Sequence, residues 1–229
     1  MTPEAQKARK SLFVDPLLLF PVLILIGIGM VMVYSASSEI ALRHYGGEYY
    51  FFFRQLIFAG VGLTGMLVCR LLPYPIFGKA SYVMLLAAVA LLAAVFIGGV
   101  GHTAGGATRW LRFSGVSFQP SEFARLALIV FMAYSLTKKQ VNVADLTIGF
   151  VPHLLILVLF TVLILLQPDF GTVAIFWMLA WIVMFAGRVP VLYLASACIM
   201  ALPVALWLLL SAEYRVKRYI TFLDPWKYP

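Results

Sequence analysis

Five ionisable side chains supply the residue types that could bind a charged substrate: Arg109, Arg112, Glu122, Arg125 and Asp169. The first four lie in one stretch, GGATRWLRFSGVSFQPSEFAR from Gly105 to Arg125, and the fifth follows in QPDFGT. Arginine binds phosphate oxygens through a planar fork of N–H donors, which lysine cannot offer. The residue types therefore favour a site for a phosphate-bearing molecule.

Arg109 and Arg112 have a second interpretation. They flank Trp110, and arginines around a tryptophan next to an apolar segment are also typical of an anchor for anionic lipid headgroups. Taken alone, the two arginines fit the lipid anchor better than the phosphate site.

Glu122 and Arg125 lie three residues apart at the start of a predicted helix, so they share one face of it. Ionised groups inside a membrane are costly, and such pairs normally face the interior of a helix bundle or a hydrated cavity. A structural ion pair near the interface, with Glu122 reaching toward water, explains the spacing equally well. The sequence leaves open whether the two side chains touch.

Asp169 is expected to cap the helix that follows it. Gln167 precedes Pro168 and is therefore disfavoured in a helix, which predicts a break between two apolar segments at this point. The break would place Asp169 on the same side of the membrane as the arginines and Glu122. This shared location is the argument for a binding role in addition to capping.

The elements that must position these residues are membrane helices. The chain has 229 residues, of which 63% are hydrophobic and 11% charged, and a mean hydropathy of +1.00. These values lie outside the range of soluble domains. The apolar runs are about 17 to 22 residues long, the length at which a helix spans a bilayer. The predicted fold class is all-α, a polytopic transmembrane helix bundle.

Seven spans are predicted. We expect a basic cytoplasmic tail at 1–15, a single bundle of seven helices at 16–211, and an outer loop at 101–119 within it. A further loop is predicted at 37–50. The expected spans are 16–34, about 50–69, 80–100, 120–136, 148–166, 172–186 and 191–210.

The formal net charge is +8, and the basic residues lie mainly in segments between apolar runs. This placement indicates that they orient the chain in the membrane and contact anionic lipid headgroups, and it argues against nucleic-acid binding. Counted with an inner N-terminus, the two sides carry equal numbers of Lys and Arg once the C-terminal tail is included. The basic flank of the first helix therefore decides the orientation, with a cytoplasmic N-terminus. His44, His102 and His153 are scattered without metal-ligand spacing, so no metal site and no cofactor are predicted.

Four motifs, YSASS, GGATRWL, FQPSEFARL and QPDFGT, occur in this order. In this order and spacing they closely resemble the SEDS family (shape, elongation, division and sporulation), and its cell-division members more than its elongation members. The resemblance covers essentially the whole chain. It implies ten transmembrane helices in the complete protein, of which this chain would hold seven, and 212–229 would be the truncated start of a large extracytoplasmic loop.

The resemblance also implies a function. Such proteins polymerise lipid II at the bacterial cytoplasmic membrane, adding its disaccharide-peptide to a glycan strand held on undecaprenyl pyrophosphate. They act with a class B penicillin-binding protein and other division proteins at the septum. Two alternatives stay open: a lipid II flippase, and a membrane scaffold that is catalytically silent because the chain is short.

The family's QPxExxK motif corresponds to Gln119, Pro120, Glu122 and, at the lysine position, Arg125. The substitution keeps the positive charge but removes a group that could lose a proton. The family's proposed catalytic aspartate would lie beyond Pro229, so the catalytic residue is unknown. The motifs imply a set of substrate-binding residues, to which we add Arg112. The complete predicted set is Arg109, Trp110, Arg112, Gln119, Glu122, Arg125 and Asp169.

Overall fold

The computed structural model describes residues 15–97, 101–104, 107–113 and 116–210. The predicted loop at 212–229 and the tail at 1–15, apart from Asp15, lie outside this part of the chain. The chain forms two compact units that meet in sequence at Pro73 and Tyr74.

The described residues of the first unit form two helices, α1 (Pro16–Tyr45) and α2 (Tyr50–Leu71). Asp15 caps α1 by accepting a 3.0 Å hydrogen bond from the backbone N–H of Leu17. Gly46 ends α1 with a φ of 70°, a conformation that glycine adopts without strain.

The predicted loop at 37–50 is wrong, because α1 continues to Tyr45. The segment is polar, but it contains neither glycine nor proline before Gly46. An ion pair between Glu39 and Arg43, one turn apart, lies on this extension. The polar residues therefore belong to an extension of α1 beyond its apolar part, and none of them is a helix-breaking residue.

In the second unit, the described ranges between 74 and 210 form five α-helices and a small sheet. The helices are α3 (Pro75–Ala94), α4 (Pro120–Lys138), α5 (Val151–Leu165), α6 (Phe170–Ala186) and α7 (Val191–Leu210). A turn of π-helix, Leu146–Phe150, leads directly into α5. Three of the helices have proline in the first turn, where its missing N–H costs nothing.

The predicted fold class, an all-α polytopic transmembrane helix bundle, is confirmed, since the described ranges form seven α-helices beside one small sheet. Four helical segments are long and apolar enough to cross a bilayer: Pro16–Tyr45, Tyr50–Leu71, Pro75–Ala94 and Leu146–Leu165. Helix α6 is apolar but shorter. Helix α4 carries Glu122, Arg125 and Lys138, and it packs against α3, α5 and α6. The most polar of these helices is thus the central one of its unit.

The predicted outer loop at 101–119 contains a three-stranded antiparallel sheet. Its strands are β1 (Gly101–Ala104), β2 (Ala107–Phe113) and β3 (Val116–Phe118), in the order β1-β2-β3. Threonine and aromatic residues in this segment fit a pleated strand. The mixed polarity had indicated only an interruption of the apolar pattern.

Gly149 in the π-helical turn occupies a position without room for a side chain. A Cβ atom added there would lie 2.0 Å from the carbonyl oxygen of Val143. Gly62 in α2 is the opposite case, since nothing lies within 4 Å of an added Cβ atom.

We therefore expect Gly149→Ala to lower the free energy of unfolding by about 1–3 kcal/mol, because the backbone must shift to relieve the clash. Gly62→Ala should raise it by about 0.5–1 kcal/mol, since alanine is the better helix former. Thermal unfolding of the full-length protein in detergent, followed by tryptophan fluorescence, measures both. Equal effects of the two substitutions would contradict this account of the turn.

Asp145 caps the same π-helical turn. Its Oδ1 atom accepts hydrogen bonds from the hydroxyl of Thr147 at 2.7 Å and from the backbone N–H of Thr147 at 2.8 Å. These bonds favour the charged carboxylate, so they lower the pKa of Asp145 from its ordinary value of 3.8.

A carboxyl whose pKa falls on folding stabilises the folded state above its unfolded pKa and loses that contribution as the pH drops. We expect Asp145→Ala to lower the melting temperature by a constant amount above about pH 5 and by a shrinking amount below about pH 4. Melting curves of both proteins across this range provide the measurement. A gap that widens at low pH would be inconsistent with the lowered pKa.

Candidate functional site

An ion pair joins the small sheet to the start of α6. The Nη1 atom of Arg109 lies 3.3 Å from Oδ2 of Asp169, with side-chain exposures of 30% and 11%. Arg109 sits at an irregularity of β2, because consecutive residues His102 and Thr103 face Trp110 and Thr108. A bulge of this kind redirects a side chain. Here the extra residue of the strand brings its guanidinium to Asp169.

Asp169 has a second bond that fixes its carboxylate. Its Oδ1 atom accepts a 3.2 Å hydrogen bond from the backbone N–H of Thr172, so the residue caps α6 as expected from the sequence. One oxygen therefore serves the helix and the other serves Arg109. Both Asp169 and Thr172 are buried. The carboxylate is thus a fixed structural group.

The turn before α6 is also attached to α3. The Nε2 atom of Gln167 donates a 3.2 Å hydrogen bond to the carbonyl oxygen of Leu92, and both residues are buried. Sequence reasoning missed this contact. A buried glutamine amide gives no periodic signal, and its partner is a backbone atom 75 positions away.

Glu122 and Arg125 do touch. The Nη2 atom of Arg125 lies 3.1 Å from Oε1 of Glu122, which settles the question that the spacing left open. The side chain of Arg125 is 28% exposed and that of Glu122 is 54% exposed. This pair is therefore more open to solvent than the pair of Arg109 and Asp169.

Three buried polar atoms at this end of the second unit have no hydrogen-bond partner among the described residues. They are Nε of Arg109, Oγ of Ser121 and Nε of Arg125. An unsatisfied buried donor costs on the order of 1–3 kcal/mol, so native proteins rarely keep several together without a reason. Two guanidiniums and a hydroxyl with spare donors are suited to receive an anion.

Comparison with known proteins adds to this geometry. A family model for cell cycle proteins, which covers FtsW, RodA and SpoVE, matches residues 16–229. The chain belongs to this family. The resemblance to SEDS proteins drawn from the four motifs is thereby confirmed.

Curated relatives include a probable peptidoglycan glycosyltransferase FtsW of Geobacter sp. (strain M18), which is 39% identical over 215 residues. The alignment covers 94% of this chain and 59% of that relative. The chain therefore spans about three fifths of the length of this relative.

Two solved structures share the fold. One, from work on the structural coordination of polymerization and crosslinking by a peptidoglycan synthase complex, has a TM-score of 0.70 and 28% identity, covering 94% of this chain and 60% of that one. The rod shape determining protein RodA of Thermus thermophilus gives 0.64 and 26%, covering 83% of this chain and 60% of RodA.

The remaining residues implied by the FtsW/RodA/SpoVE motifs are placed less completely. Trp110 is half-buried on β2, opposite His102. Gln119 is half-buried and precedes α4, but its side chain makes no capping hydrogen bond. Arg112 faces Ser117 across the β2–β3 ladder, and its side chain lies outside the described residues. Their binding roles stay predictions.

His153 lies in the helix interior. His153 is buried in α5, and its Nδ1 atom lies 2.8 Å from the carbonyl oxygen of Gly149. Within the described ranges, no three His, Cys, Asp or Glu residues are grouped so that they could hold a metal ion. The expectation of no cofactor stays a prediction.

The pair of Arg109 and Asp169 can be tested by a double-mutant cycle. Asp169→Asn should lower the free energy of unfolding by about 1–3 kcal/mol, because it leaves a half-buried guanidinium without its counter-ion. Arg109→Gln should cost less when Asp169 is already asparagine. Thermal unfolding of the four proteins gives the coupling, and a coupling of zero would contradict a structural role for this pair.

Proposed function

We propose that the complete protein is a peptidoglycan glycosyltransferase that polymerises lipid II. The observation that carries the proposal is the pair of arginines, Arg109 and Arg125, each with a counter-ion and an unsatisfied Nε–H, at one end of the second unit. Membership of the FtsW/RodA/SpoVE family supports it. A relative that is 39% identical is named a probable peptidoglycan glycosyltransferase.

The chemistry would consist of one displacement. The bond between the anomeric carbon and the diphosphate breaks, and a bond to the acceptor hydroxyl forms. Arginine side chains stabilise the negative charge that develops on the departing diphosphate, where preorganised donors contribute most to the rate. A carboxylate, which the family resemblance places beyond Pro229, would take the hydroxyl proton. No cofactor enters this proposal, because the diphosphate is already a leaving group.

The partner we propose is a class B penicillin-binding protein that crosslinks the new strand. The solved peptidoglycan synthase complex supports this choice, since its name joins polymerization and crosslinking. We further propose a cytoplasmic N-terminus, which puts the arginine pairs at the outer surface of the bacterial cytoplasmic membrane. We also propose action at the septum with other division proteins, as the resemblance to the cell-division members of the family implies.

Transport of lipid II is the competing function. A translocation path for a charged headgroup needs polar groups through the depth of the bundle. In the described part of the second unit, both carboxylate–arginine pairs lie at one end. Lys138 and Lys139, at the other end of α4, have the ordinary positions of loop bases. This distribution favours polymerisation over transport.

The proposal predicts that full-length protein, combined with its transpeptidase partner, makes glycan from purified fluorescent lipid II. Arg125→Ala should reduce the polymer at least about a hundredfold, since loss of one transition-state donor typically costs that much. Arg125→Lys should retain part of the activity, because the resemblance places lysine at this position. Gel separation of the products measures all three proteins.

Lys138→Ala is the matched control, because it removes a positive charge at the opposite end of the same helix. It should polymerise like the wild type. Normal polymer from Arg125→Ala would overturn the site assignment. Movement of labelled lipid II across liposomes without any polymer would favour transport, and neither reaction would favour a scaffold.

A further inference from the structure

The first turn of α4 contains a buried hydroxyl with nothing to bind. Ser121 is 2% exposed, and its Oγ atom has no hydrogen-bond partner among the described residues. Side chains of a helix lean toward its N-terminus, so this hydroxyl is directed at the start of α4. No motif reasoning singled out Ser121.

The backbone at this point offers one further donor. The first N–H groups of a helix have no acceptor within the helix. Pro120 has no N–H, and the N–H of Glu122 donates a 3.1 Å hydrogen bond to the carbonyl oxygen of Gln119, which leaves the N–H of Ser121 without a bond to the described residues. A side-chain cap commonly supplies an acceptor, but Gln119 makes no such bond to α4. Asp169, by contrast, caps α6 with its carboxylate. A free N–H at a helix start can donate to a phosphate or another anion.

Arg125 completes the set of donors. It lies four residues after Ser121, so the two side chains are neighbours on one face of α4. Its Nε atom is buried and has no partner among the described residues, whereas its Nη2 atom is held by Glu122. A hydroxyl and a guanidinium with free N–H capacity therefore lie one turn apart at the start of one helix.

We propose that the first turn of α4 is a binding site for one phosphate group, in which Ser121 and Arg125 bind the phosphate and Glu122 is an internal counter-ion that the phosphate displaces. The inference deepens the proposed function, on which it rests for the identity of the natural ligand. The shared chemistry is a phosphoryl group, whether it belongs to a lipid-linked diphosphate, a free diphosphate or a phospholipid headgroup.

Glu122 is the carboxylate that can leave. Its side chain is 54% exposed, and the bond to Arg125 is its only ion pair in the described part of the chain. Exposed pairs of this kind contribute little, because water compensates each partner on separation. Asp169 differs in being buried and held by both Arg109 and Thr172. An arriving phosphate would thus displace Glu122 and leave Asp169 in place.

This arrangement predicts the direction in which phosphate affinity changes when the charge of Glu122 is removed. A carboxylate that must leave Arg125 before phosphate binds competes with the ligand, so removal of its charge should tighten binding. A carboxylate that merely orients Arg125 would have the opposite effect, because its loss would free the guanidinium to move.

The test uses full-length protein in nanodiscs of zwitterionic lipid. Affinity is measured for inorganic pyrophosphate in one arm and for farnesyl pyrophosphate in a second. In a third arm, the affinity for phosphatidylglycerol is measured with nanodiscs that contain this lipid. Ser121→Ala should weaken binding about tenfold, as expected for a lost hydrogen bond to a charged group. Its melting temperature without ligand should stay the same or rise, since the lost hydroxyl has no partner.

Ser135→Ala is the matched control, because Ser135 is equally buried on the same helix but lies near its other end. It should leave every affinity unchanged. Glu122→Gln should tighten binding about two- to fivefold, the range set by the strength of an exposed ion pair. The ligand whose affinity falls in Ser121→Ala relative to the wild type identifies the source of the phosphate.

Ser121→Ala with wild-type affinity in all three arms would overturn the site. Weaker binding by Glu122→Gln would overturn its role as a displaced counter-ion. Failure of the wild type to polymerise lipid II would count against the proposed function alone, because the binding measurements do not depend on turnover.

Discussion

The second unit depends on how ionised groups are accommodated where water is scarce. An isolated charge in such surroundings is costly, so each arginine must have a partner or lie near solvent. Arg109 meets this demand through Asp169, and the same carboxylate caps α6. One residue thereby ties the sheet to a helix and sets where that helix begins. The bond from Gln167 to Leu92 attaches the preceding turn to α3, so three segments are held together at one point.

The central position of α4 follows from the same constraint. Its polar residues could not face lipid without large cost, and packing against α3, α5 and α6 removes much of its surface from lipid. Small residues on its buried face, Ala124 and Ala127, permit close approach of the neighbouring helices. Van der Waals packing then replaces the hydrophobic driving force, which is weak between helices in a bilayer.

Sequence reasoning predicted those features that follow from long apolar runs. The bounds of α4 to α7 agree with it within two residues at most ends, because prolines and an aspartate cap mark several of their starts. It missed the end of α1, where a polar helix looks like a loop, and the sheet, whose strands are too short to show a period. Ser121 and Gln167 also gave no signal. Small neutral residues become informative only when burial and partners are known.

The order of the helices has an electrostatic consequence. The formal charges of Arg109, Arg125, Glu122 and Asp169 cancel, yet α4 and α6 are separated by one antiparallel helix and so begin at the same end. Each helix start carries about half a positive charge from aligned peptide dipoles. The two helix starts therefore add positive potential that the two ion pairs, which are neutral as a set, do not offset. That part of the potential belongs to the backbone, and neither pH nor side-chain substitution removes it.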